Sequence, residues 1–359
     1  MITMKLKEIG KITTGKTPSK NIKNAFGNYI SFLTPKDFNG QRYSNITERS
    51  LSIEGVENVY NYIVKGPSVS VTCIGSDMGK TIFNEKDIIS NQQINSISEI
   101  DSNINPMYLY YLLYTKRKQL HFIGSAQGST MPILNKSDFG NLKFSFPSRK
   151  EQDIIVAKIN SFDSKIEINN KINTNLFELA NIIFQQSFNC NGNIPLSHYF
   201  LPKRGKNLLK KNVEPGAVPV VAGGLKPAAY HNISNTETPV ITISASGANA
   251  GYVQIWGQKV WSSDSSYIDS SITDNIYFWY IFLKSRQKQI FDAQTGSAQP
   301  HIYPKHIGNL LISELDEEQV QSFNKKVTPI FEKIFQNQKN NSVMEDVKNS
   351  LLYKFFNDY

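Results

Sequence analysis

Two long stretches of the chain place apolar residues alternately four and three positions apart, which is the spacing of a coiled-coil seam. In residues 151–188 the seam consists of Ile155, Ile159, Phe162, Ile166, Asn169, Asn173, Leu176, Ala180 and Ile183. The same spacing returns 168 residues later, in Phe323, Val327, Ile330, Ile334, Asn337, Asn341, Met344, Lys348 and Leu351. We therefore predict two long helices, each of about 38 residues and roughly 55 Å. Pro329 beside the second seam predicts a kink or a late helix start.

Other segments recur at a similar offset, which indicates a tandem duplication of a unit of roughly 170 residues. The tetrapeptide GSAQ occurs at 124–127 and at 296–299, and a Gly-Asn-Leu follows each copy, at Gly140 and Gly308. The other corresponding segments are VTCIGSDMGKTIF (71–83) with ITISASGANAGYV (241–253), SNQQINSI (90–97) with SSDSSYID (262–269), and MYLYYLL (107–113) with IYFWYIF (276–282).

The segments outside the two predicted helices alternate short apolar runs with Gly, Pro, Asn and Ser, a pattern typical of strands joined by turns. VSVTCI, KTIFN, PVITISA and GYVQIWG predict strands, whereas the aromatic runs at 107–120 and 276–291 end in basic amphipathic stretches and predict helices. Each repeat is thus predicted to be an α+β domain with a mostly antiparallel sheet, followed by a long helix. The predicted boundaries are 1–150 for the first domain, 151–190 for its helix, 191–317 for the second domain and 318–359 for its helix.

Connectivity predicts how the two helices pair. The first helix leads from one globular domain to the other, and the second most simply runs back, so we expect an antiparallel pair with pseudo-two-fold symmetry. With matched midpoints, Asn169 would face Asn341 and Asn173 would face Asn337. Buried seam asparagines fix the register of a coiled coil at a cost in stability. The alternative is that these side chains are partly exposed and only tolerated.

Length and composition fit a globular protein of two or three domains, with 359 residues of which 40% are apolar and 19% charged. The longest apolar runs, at 107–114 and 277–283, are far below the ~20 residues that span a bilayer. The N-terminus lacks the apolar core of a signal peptide. Cys73 and Cys190 are too few and too isolated for a disulfide framework or a zinc cluster. These features predict a cytoplasmic protein with reduced thiols and no membrane partner.

The net charge of +9 favours a polyanionic partner, most simply nucleic acid, although solubility alone is an alternative explanation. Enzyme motifs are missing: the sequence has no GxxxxGK[ST] phosphate loop, no GxGxxG and no Pro-Pro pair of the kind found in amino methyltransferases. The histidines show no metal-ligand spacing. Asp163 and Lys165 are interpreted as a solvated charge pattern. We therefore expect no catalysis by this chain alone and no metal site.

The order of several short motifs resembles the specificity (S) subunits of type I restriction–modification systems. The first half carries KLKEIGKITTGKTPSK, CIGSDMGK, SNQQINSI and the segment GSAQ…PILNKSDFGNLKFSFPSRKEQDIIVAKINSFDSKIE. The second half carries a more divergent copy, with ISASGANAG, SSDSSY and TGSAQPHIYPKHIGNLLI. The resemblance covers essentially the whole chain, and the opening of the second half, PLSHYFLPKRGK, departs most from the pattern.

The resemblance implies a non-catalytic subunit whose two globular domains are target-recognition domains, each reading one half of a bipartite DNA sequence. The helices would set the spacing between the halves and dock methyltransferase (M) subunits. S-adenosylmethionine would act in the M subunits, and ATP and Mg in the motor–nuclease restriction (R) subunits, with no cofactor in this chain. The implied partners are double-stranded DNA, M subunits and R subunits.

Candidate DNA contacts are basic, amide and small polar side chains, because Lys and Arg bind phosphate and Gln can read adenine. In the first domain they are Lys16, Thr17, Lys20, Lys23, Ser76, Lys80, Gln92, Gln93, Ser125 and Gln127. In the second domain they are Lys203, Arg204, Lys206, Lys210, Lys211, Ser246, Asn249, Ser297 and Gln299. The alternatives are a solvated charged surface, turn or strand positions for the glutamines, and a turn that fastens each domain to its helix for GSAQ.

Two other functions fit the same features. The chain would instead serve a restriction system with a fused nuclease–methyltransferase partner, or act as an adaptor whose paired helices bind proteins and not DNA. Salt-dependent, sequence-specific binding to bipartite DNA separates a recognition subunit from an adaptor.

Overall fold

The structure is a computed structural model that describes residues 1–125, 132–189, 191–296 and 299–356. Its internal contacts divide the chain into two compact units, which we call unit 1 (Met1–Lys165 with Met344–Tyr359) and unit 2 (Ile166–Val343). Both long helices are cut by these unit boundaries, so the units do not test the four predicted domains. No described helix is long and apolar enough to cross a membrane.

Unit 1 is built on three sheets. Its strands are β1 (Ile2–Lys5), β2 (Lys11–Thr14), β3 (Phe26–Gly27), β4 (Ile30–Leu33), β5 (Arg49–Leu51), β6 (Ser68–Thr72), β7 (Thr81–Asn84), β8 (Ile88–Ser90), β9 (Ile94–Ser98) and β10 (Lys143–Phe146). Its helices are α1 (Leu6–Ile9), α2 (Ile53–Asn58), α3 (Pro106–Thr115), α4 (Arg117–Ser125), α5 (Lys136–Asn141) and the start of the long α6 (Arg149–Ser187). The strand orders are β2-β9-β6-β7, β3-β5-β4-β8 and β1-β10, and every pair is antiparallel except β4 with β8.

The β2-β9-β6-β7 sheet has one apolar and one polar face because successive side chains of a strand point to opposite sides. Val69 and Val71 of β6 belong to the main apolar core of unit 1, together with residues of α3. The other face carries hydroxyl and amide groups that bond to one another: Ser70 Oγ lies 2.7 Å from Ser96 Oγ, and Asn84 Nδ2 donates to Ser70 Oγ at 2.8 Å. Both faces are therefore buried, and hydrogen bonds among these groups satisfy much of the polar face, while Asn84 Oδ1 has no partner among the described residues.

Unit 2 repeats this plan. Its strands are β11 (Ile194–Pro195), β12 (Lys203–Arg204), β13 (Val218–Val221), β14 (Ala229–His231), β15 (Val240–Ser244), β16 (Val253–Trp256), β17 (Trp261–Ser262), β18 (Ser265–Asp269) and β19 (Leu311–Ile312). Its helices are α7 (Ile276–Ser285), α8 (Gln287–Asp292), α9 (Pro304–Gly308) and most of the long α10 (Glu317–Phe356). The strand orders are β12-β18-β15-β16, β14-β13-β17 and β11-β19, with β13 and β17 parallel. The predicted α+β class is confirmed, and the sequence repeat is matched by a repeat of topology.

The two long helices have the extent that the seam pattern indicated, with 39 residues in α6 and 40 in α10. Ser148 and Glu151 form a capping box at the start of α6: the Glu151 amide donates to Ser148 Oγ at 3.4 Å, and the Ser148 amide donates to Glu151 Oε2 at 2.9 Å. The Ser148 hydroxyl also donates to Glu151 Oε2, at 2.7 Å. The two bonds that its carboxylate accepts lower the pKa of Glu151. Pro329 lies inside α10, which already begins at Glu317. Of the two predicted effects of this proline, the late helix start is therefore wrong, and the kink stays a prediction.

Four seam asparagines pair across the helices within unit 2. Asn169 Nδ2 donates to Asn341 Oδ1 at 2.7 Å, and Asn337 Nδ2 donates to Asn173 Oδ1 at 2.8 Å, which are the two predicted pairings. Asn341 Nδ2 also donates to Asn170 Oδ1 at 2.9 Å. Residue numbers rise along one helix as they fall along the other, so α6 and α10 are antiparallel here. Asn169, Asn337 and Asn341 are buried, which contradicts the alternative of partial exposure for these three residues. Asn173 is partly exposed.

Asp163 is not a solvated charge, contrary to the sequence interpretation. Its side chain is 13% exposed within unit 1, where it accepts hydrogen bonds from Tyr111 Oη at 2.6 Å and Lys348 Nζ at 2.9 Å. Arg42 Nη1 lies 3.5 Å from the same carboxylate. Burial and the nearby Asp163 charge raise the pKa of Tyr111, so its hydroxyl stays protonated as a donor. The sequence pattern missed this network because its members are distant along the chain.

We expect replacement of Asn169, Asn173, Asn337 and Asn341 by Leu to abolish the single register of the helix pair, because apolar side chains pack in several registers. Thermal unfolding should become broader, and light scattering after size exclusion should detect a mixture of oligomers. Asn340→Leu, at an exposed position of α10, is the control. A quadruple variant with the sharp transition and oligomeric state of the wild type would show that the asparagines do not specify register.

We expect Asp163→Ala to lower the free energy of unfolding by about 3–5 kcal/mol, because Arg42 and Lys348 are left buried without their shared carboxylate. Chemical denaturation measures this loss. Glu345→Ala, which removes an exposed acid from α10, should change the free energy by no more than about 0.5 kcal/mol. Equal effects of the two variants would mean that the network contributes nothing to the stability of unit 1.

Candidate nucleic-acid interface

Three segments of unit 1 meet where β6 ends. We call residues 73–80, 90–93 and 132–135 the β6 edge. Main-chain hydrogen bonds join the three segments: the Cys73 amide donates to Gln93 O at 2.7 Å, the Leu134 amide to Cys73 O at 2.9 Å, and the Gly75 amide to Pro132 O at 3.0 Å. The edge therefore brings together the CIGSDMGK turn, the SNQQ segment and the residues after the first GSAQ.

Unit 2 has the same arrangement where β15 ends. We call residues 245–251, 262–265 and 299–303 the β15 edge. The Ala245 amide donates to Asp264 O at 3.1 Å, the Ile302 amide to Ala245 O at 2.9 Å, and the Gly247 amide to Pro300 O at 3.1 Å. These bonds match those of the β6 edge one for one. They also identify corresponding positions, such as Gln93 with Asp264.

Two glycines shape the turn of each edge. Gly75 and Gly79 have φ of +88° and +84°, and Gly247 and Gly251 have +79° and +86°. Residues with a Cβ rarely adopt this left-handed backbone conformation. A Cβ on Gly79 would also lie 2.7 Å from the carbonyl oxygen of Arg117, whereas one on Gly75 would meet open space. The backbone conformation therefore favours glycine at both positions. At Gly79, the nearby carbonyl oxygen of Arg117 also leaves no space for a Cβ.

The structure brings some of the candidate residues of unit 1 together. Thr17 Oγ1 donates to Gln92 Oε1 at 2.9 Å, and both side chains are exposed. Lys16 is exposed beside them, with Nζ 5.3 Å from the ring of Tyr62. The exposed segment that follows Gly15 thus joins the β6 edge through Gln92. A basic group, a hydroxyl and an amide lie close together on this surface.

Other candidates in unit 1 serve local contacts. Lys80 Nζ pairs with Asp77 at 2.9 Å, Gln93 Oε1 accepts from Asn91 Nδ2 at 3.1 Å, and the Ser125 hydroxyl donates to His121 O at 2.8 Å. Ser76 is exposed on the turn of the β6 edge, and Lys20 and Lys23 are exposed before β3. Gln127 lies outside the described residues.

Cys73, at the base of the β6 edge, is a structural residue. Burial raises the pKa of its thiol to about 12. The thiolate is therefore scarce near neutral pH, and the side chain packs in the apolar core of unit 1. Cys190 lies outside the described residues.

In unit 2 a compact polar cluster occupies the β15 edge. Arg204 Nη2 lies 3.2 Å from Asp264 Oδ1, and the Ser246 hydroxyl donates to Asp264 Oδ2. The Arg204 guanidinium lies 5.9 Å from the ring of Tyr303, on which the ring of His301 stacks. Two of the predicted residues, Arg204 and Ser246, are thus connected through a carboxylate that the sequence did not single out.

The remaining candidates of unit 2 are exposed or anchor the backbone. Lys203 Nζ donates to Ser271 Oγ at 3.0 Å, and Asn249 Nδ2 donates to Gly223 O at 3.2 Å. The other side chains are exposed: Lys206, Lys210, Lys211 and Gln299. Ser297 lies outside the described residues.

Sequence reasoning missed Asp264 and Tyr303. The sequence did carry a signal for Asp264, because SSDSSY places an acid where SNQQIN has glutamines. An acidic residue among basic candidates for DNA contact indicates a specific role. Tyr303 carried no such signal, since it corresponds to the N-cap position of a short helix, where unit 1 has Asn135. Among the described residues, no group of three or more His, Cys, Asp or Glu side chains is placed to hold a metal ion.

Residues 1–178 match the family model described as the type I restriction modification DNA specificity domain. These residues, which make up just under half of the chain, belong to this family. The chain is 25% identical to the type I restriction enzyme MjaIX specificity subunit of Methanocaldococcus jannaschii, in an alignment that covers 98% of this chain and 91% of that protein. It is 29% identical to the HindI specificity subunit of Haemophilus influenzae, over 51% of this chain and 40% of the relative.

A solved structure has the same fold as this chain. The S subunit of a type I restriction–modification system from M. genitalium aligns over 98% of this chain and 95% of its own, with a TM-score of 0.62 and 18% sequence identity. The fold likeness thus extends through both repeats, beyond the residues that the family model matches.

We expect Gly75→Ala to lower the free energy of unfolding by about 1–2 kcal/mol, the cost of the left-handed conformation for a residue with a Cβ. Gly79→Ala should lower it by a further 1–3 kcal/mol or so, because its Cβ collides with a main-chain oxygen. Chemical denaturation of the two variants gives the comparison. If Gly79→Ala is no more destabilising than Gly75→Ala, the close approach of α4 to this turn is wrong.

Proposed function

We propose that this chain is the non-catalytic DNA-recognition subunit of a type I restriction–modification complex, and that each unit reads one half of a bipartite DNA site. The observation that carries the proposal is the repeated edge, in which both units share the same main-chain hydrogen bonds but present different side chains. Two similar readers with different contact groups suit a target whose halves differ in sequence. Membership of residues 1–178 in the specificity-domain family supports the DNA partner.

Charge supports the same assignment. The net charge of +9 provides a sequence-independent attraction to phosphate, and exposed lysines lie near both edges, including Lys16 in unit 1 and Lys206 in unit 2. Base-reading groups then need only discriminate among sequences to which the protein is already attracted.

Under this proposal, α6 and α10 set the spacing between the two half-sites and dock methyltransferase subunits, which use S-adenosylmethionine. Restriction subunits, which use ATP and Mg, complete the complex. This chain contributes sequence recognition and no cofactor.

Mapping methylated adenine across the genome of a host that carries this gene and its methyltransferase partner tests the proposal. We expect a bipartite motif with an unspecified middle. Lys16→Ala combined with Gln92→Ala should weaken selection of one half only, because both residues lie in unit 1. Glu314→Ala is the control, an exposed substitution that lies on neither long helix and in neither edge and should leave the motif unchanged. A continuous motif, or no sequence preference at moderate salt, would contradict the proposal.

A further inference from the structure

The geometry of the β15 edge points to a specific base contact. We infer that Arg204 reads a guanine in the major groove of the half-site bound by unit 2, with Asp264, Ser246 and Tyr303 as its positioning residues. The inference rests on the proposed function and adds to it the chemical identity of one base pair and the residue that selects it.

Arg204 is held in place by its backbone. It lies on β12, a terminal strand of its sheet, where it pairs with Ser266 of β18. The next amide, of Gly205, donates to Ser265 O at 2.8 Å, and a Cβ on Gly205 would lie 2.5 Å from Ser262 Oγ. The strand therefore cannot shift easily, and the guanidinium is presented from a fixed position.

The side chain is also oriented in advance. Asp264 Oδ1 accepts from Arg204 Nη2 at 3.2 Å, and its other oxygen accepts from the Ser246 hydroxyl, so both carboxylate oxygens have a partner. The ring of Tyr303 lies 5.9 Å from the guanidinium carbon. A guanidinium has five N–H donors, and a bond to Asp264 through one nitrogen leaves others free. The Arg204 side chain is 43% exposed, so these donors can reach a ligand.

The neighbouring carboxylate argues against a phosphate as that ligand. A phosphate bound to Arg204 would lie close to the Asp264 charge, and like charges at such distances repel. A base edge is neutral and brings no such repulsion. Guanine is the base that presents two acceptors, N7 and O6, to the major groove, whereas adenine presents one acceptor and one donor. An arginine, which has donors only, therefore matches guanine.

The cluster is not a requirement of the fold. Unit 1 has the same main-chain bonds at its edge, but the positions that correspond to Arg204, Ser246 and Asp264 hold Thr14, Ile74 and Gln93. An exposed ion pair of this kind contributes little to the stability of the fold. The cluster is thus a property of unit 2 alone, as expected of residues that determine which half-site it reads.

The test selects sequences from a randomised double-stranded DNA library with the full chain in complex with its methyltransferase subunits. Competition duplexes then exchange each selected base pair in turn, and one series replaces each guanine by 7-deazaguanine, which lacks the N7 acceptor. We expect wild type to discriminate by roughly 5- to 150-fold at one G·C pair of a single half-site. Arg204→Ala should lose this discrimination, whereas Arg204→Lys should keep part of it, because an ammonium can also donate to O6 and N7. 7-Deazaguanine at that position should lower the affinity of wild type but not that of Arg204→Ala.

Lys203→Ala removes the neighbouring cation and is the matched control. It should weaken binding to all sequences alike, with discrimination unchanged. Asp264→Asn tests the positioning role: it should reduce the preference at the same G·C pair while raising overall affinity, because a negative charge is removed and Arg204 is freed to contact phosphate. A residue with only a structural role would lower the melting temperature and leave the preference intact.

Three results would overturn the inference. Weaker binding of Arg204→Ala to all sequences alike, with discrimination at every position retained, would assign Arg204 to a phosphate. Insensitivity of wild type to 7-deazaguanine at every position of the selected site would exclude a guanine contact through N7, whether or not the variants fold. A wild-type complex that selects no sequence would remove the proposed function as well, whereas selection that is unaffected by Arg204→Ala would remove this inference alone.

Discussion

An amide group that leaves water must find a hydrogen-bond partner, and this requirement governs the helix pair of unit 2. The Asn169–Asn341 and Asn173–Asn337 bonds form only when α6 and α10 are antiparallel and in one register. A shift that set these amides against Leu or Ile would leave them unsatisfied, at a cost of about 1–3 kcal/mol for each group. The apolar seam contributes most of the attraction, but it tolerates several registers. The asparagine pairs thus select one register among several that the apolar seam would stabilise about equally.

One position of the repeated long helix is packed differently in the two units. In unit 1, Asp163 of α6 accepts from Tyr111 and Lys348. The residue of α10 at the same place in the repeat is Phe331, whose ring stacks on Tyr277 at 4.5 Å within unit 2. Buried ion pairs and apolar packing of similar volume often contribute comparably to stability, which explains how both solutions coexist. The shape of the repeat was retained while its interior chemistry diverged.

The same separation of framework from chemistry occurs at the two edges. Main-chain bonds and left-handed glycines recur in both units and hold the same loops together, whereas the side chains displayed there differ. Because backbone groups carry the architecture, substitutions such as Thr for Arg or Ile for Ser alter the side-chain chemistry that the edge displays without altering how it is built. Under the proposed function, a new specificity would then need no new fold.

The amino-acid sequence by itself determined the duplication, the α+β class, the two long helices and the pairing of their asparagines, because all of these depend on periodicity and on residues that recur at a fixed offset. Local patterns failed where contacts join distant parts of the chain. Asp163 looked solvated because Arg42, Tyr111 and Lys348, its neighbours in space, are far away in sequence. Pro329 was expected either to kink the helix or to delay its start. The helix begins well before Pro329, since packing of the seam outweighs one missing hydrogen bond. Only the tertiary structure placed Asp264 and Tyr303 beside Arg204, because that proximity is created by strand pairing and by a loop that returns to the end of β15.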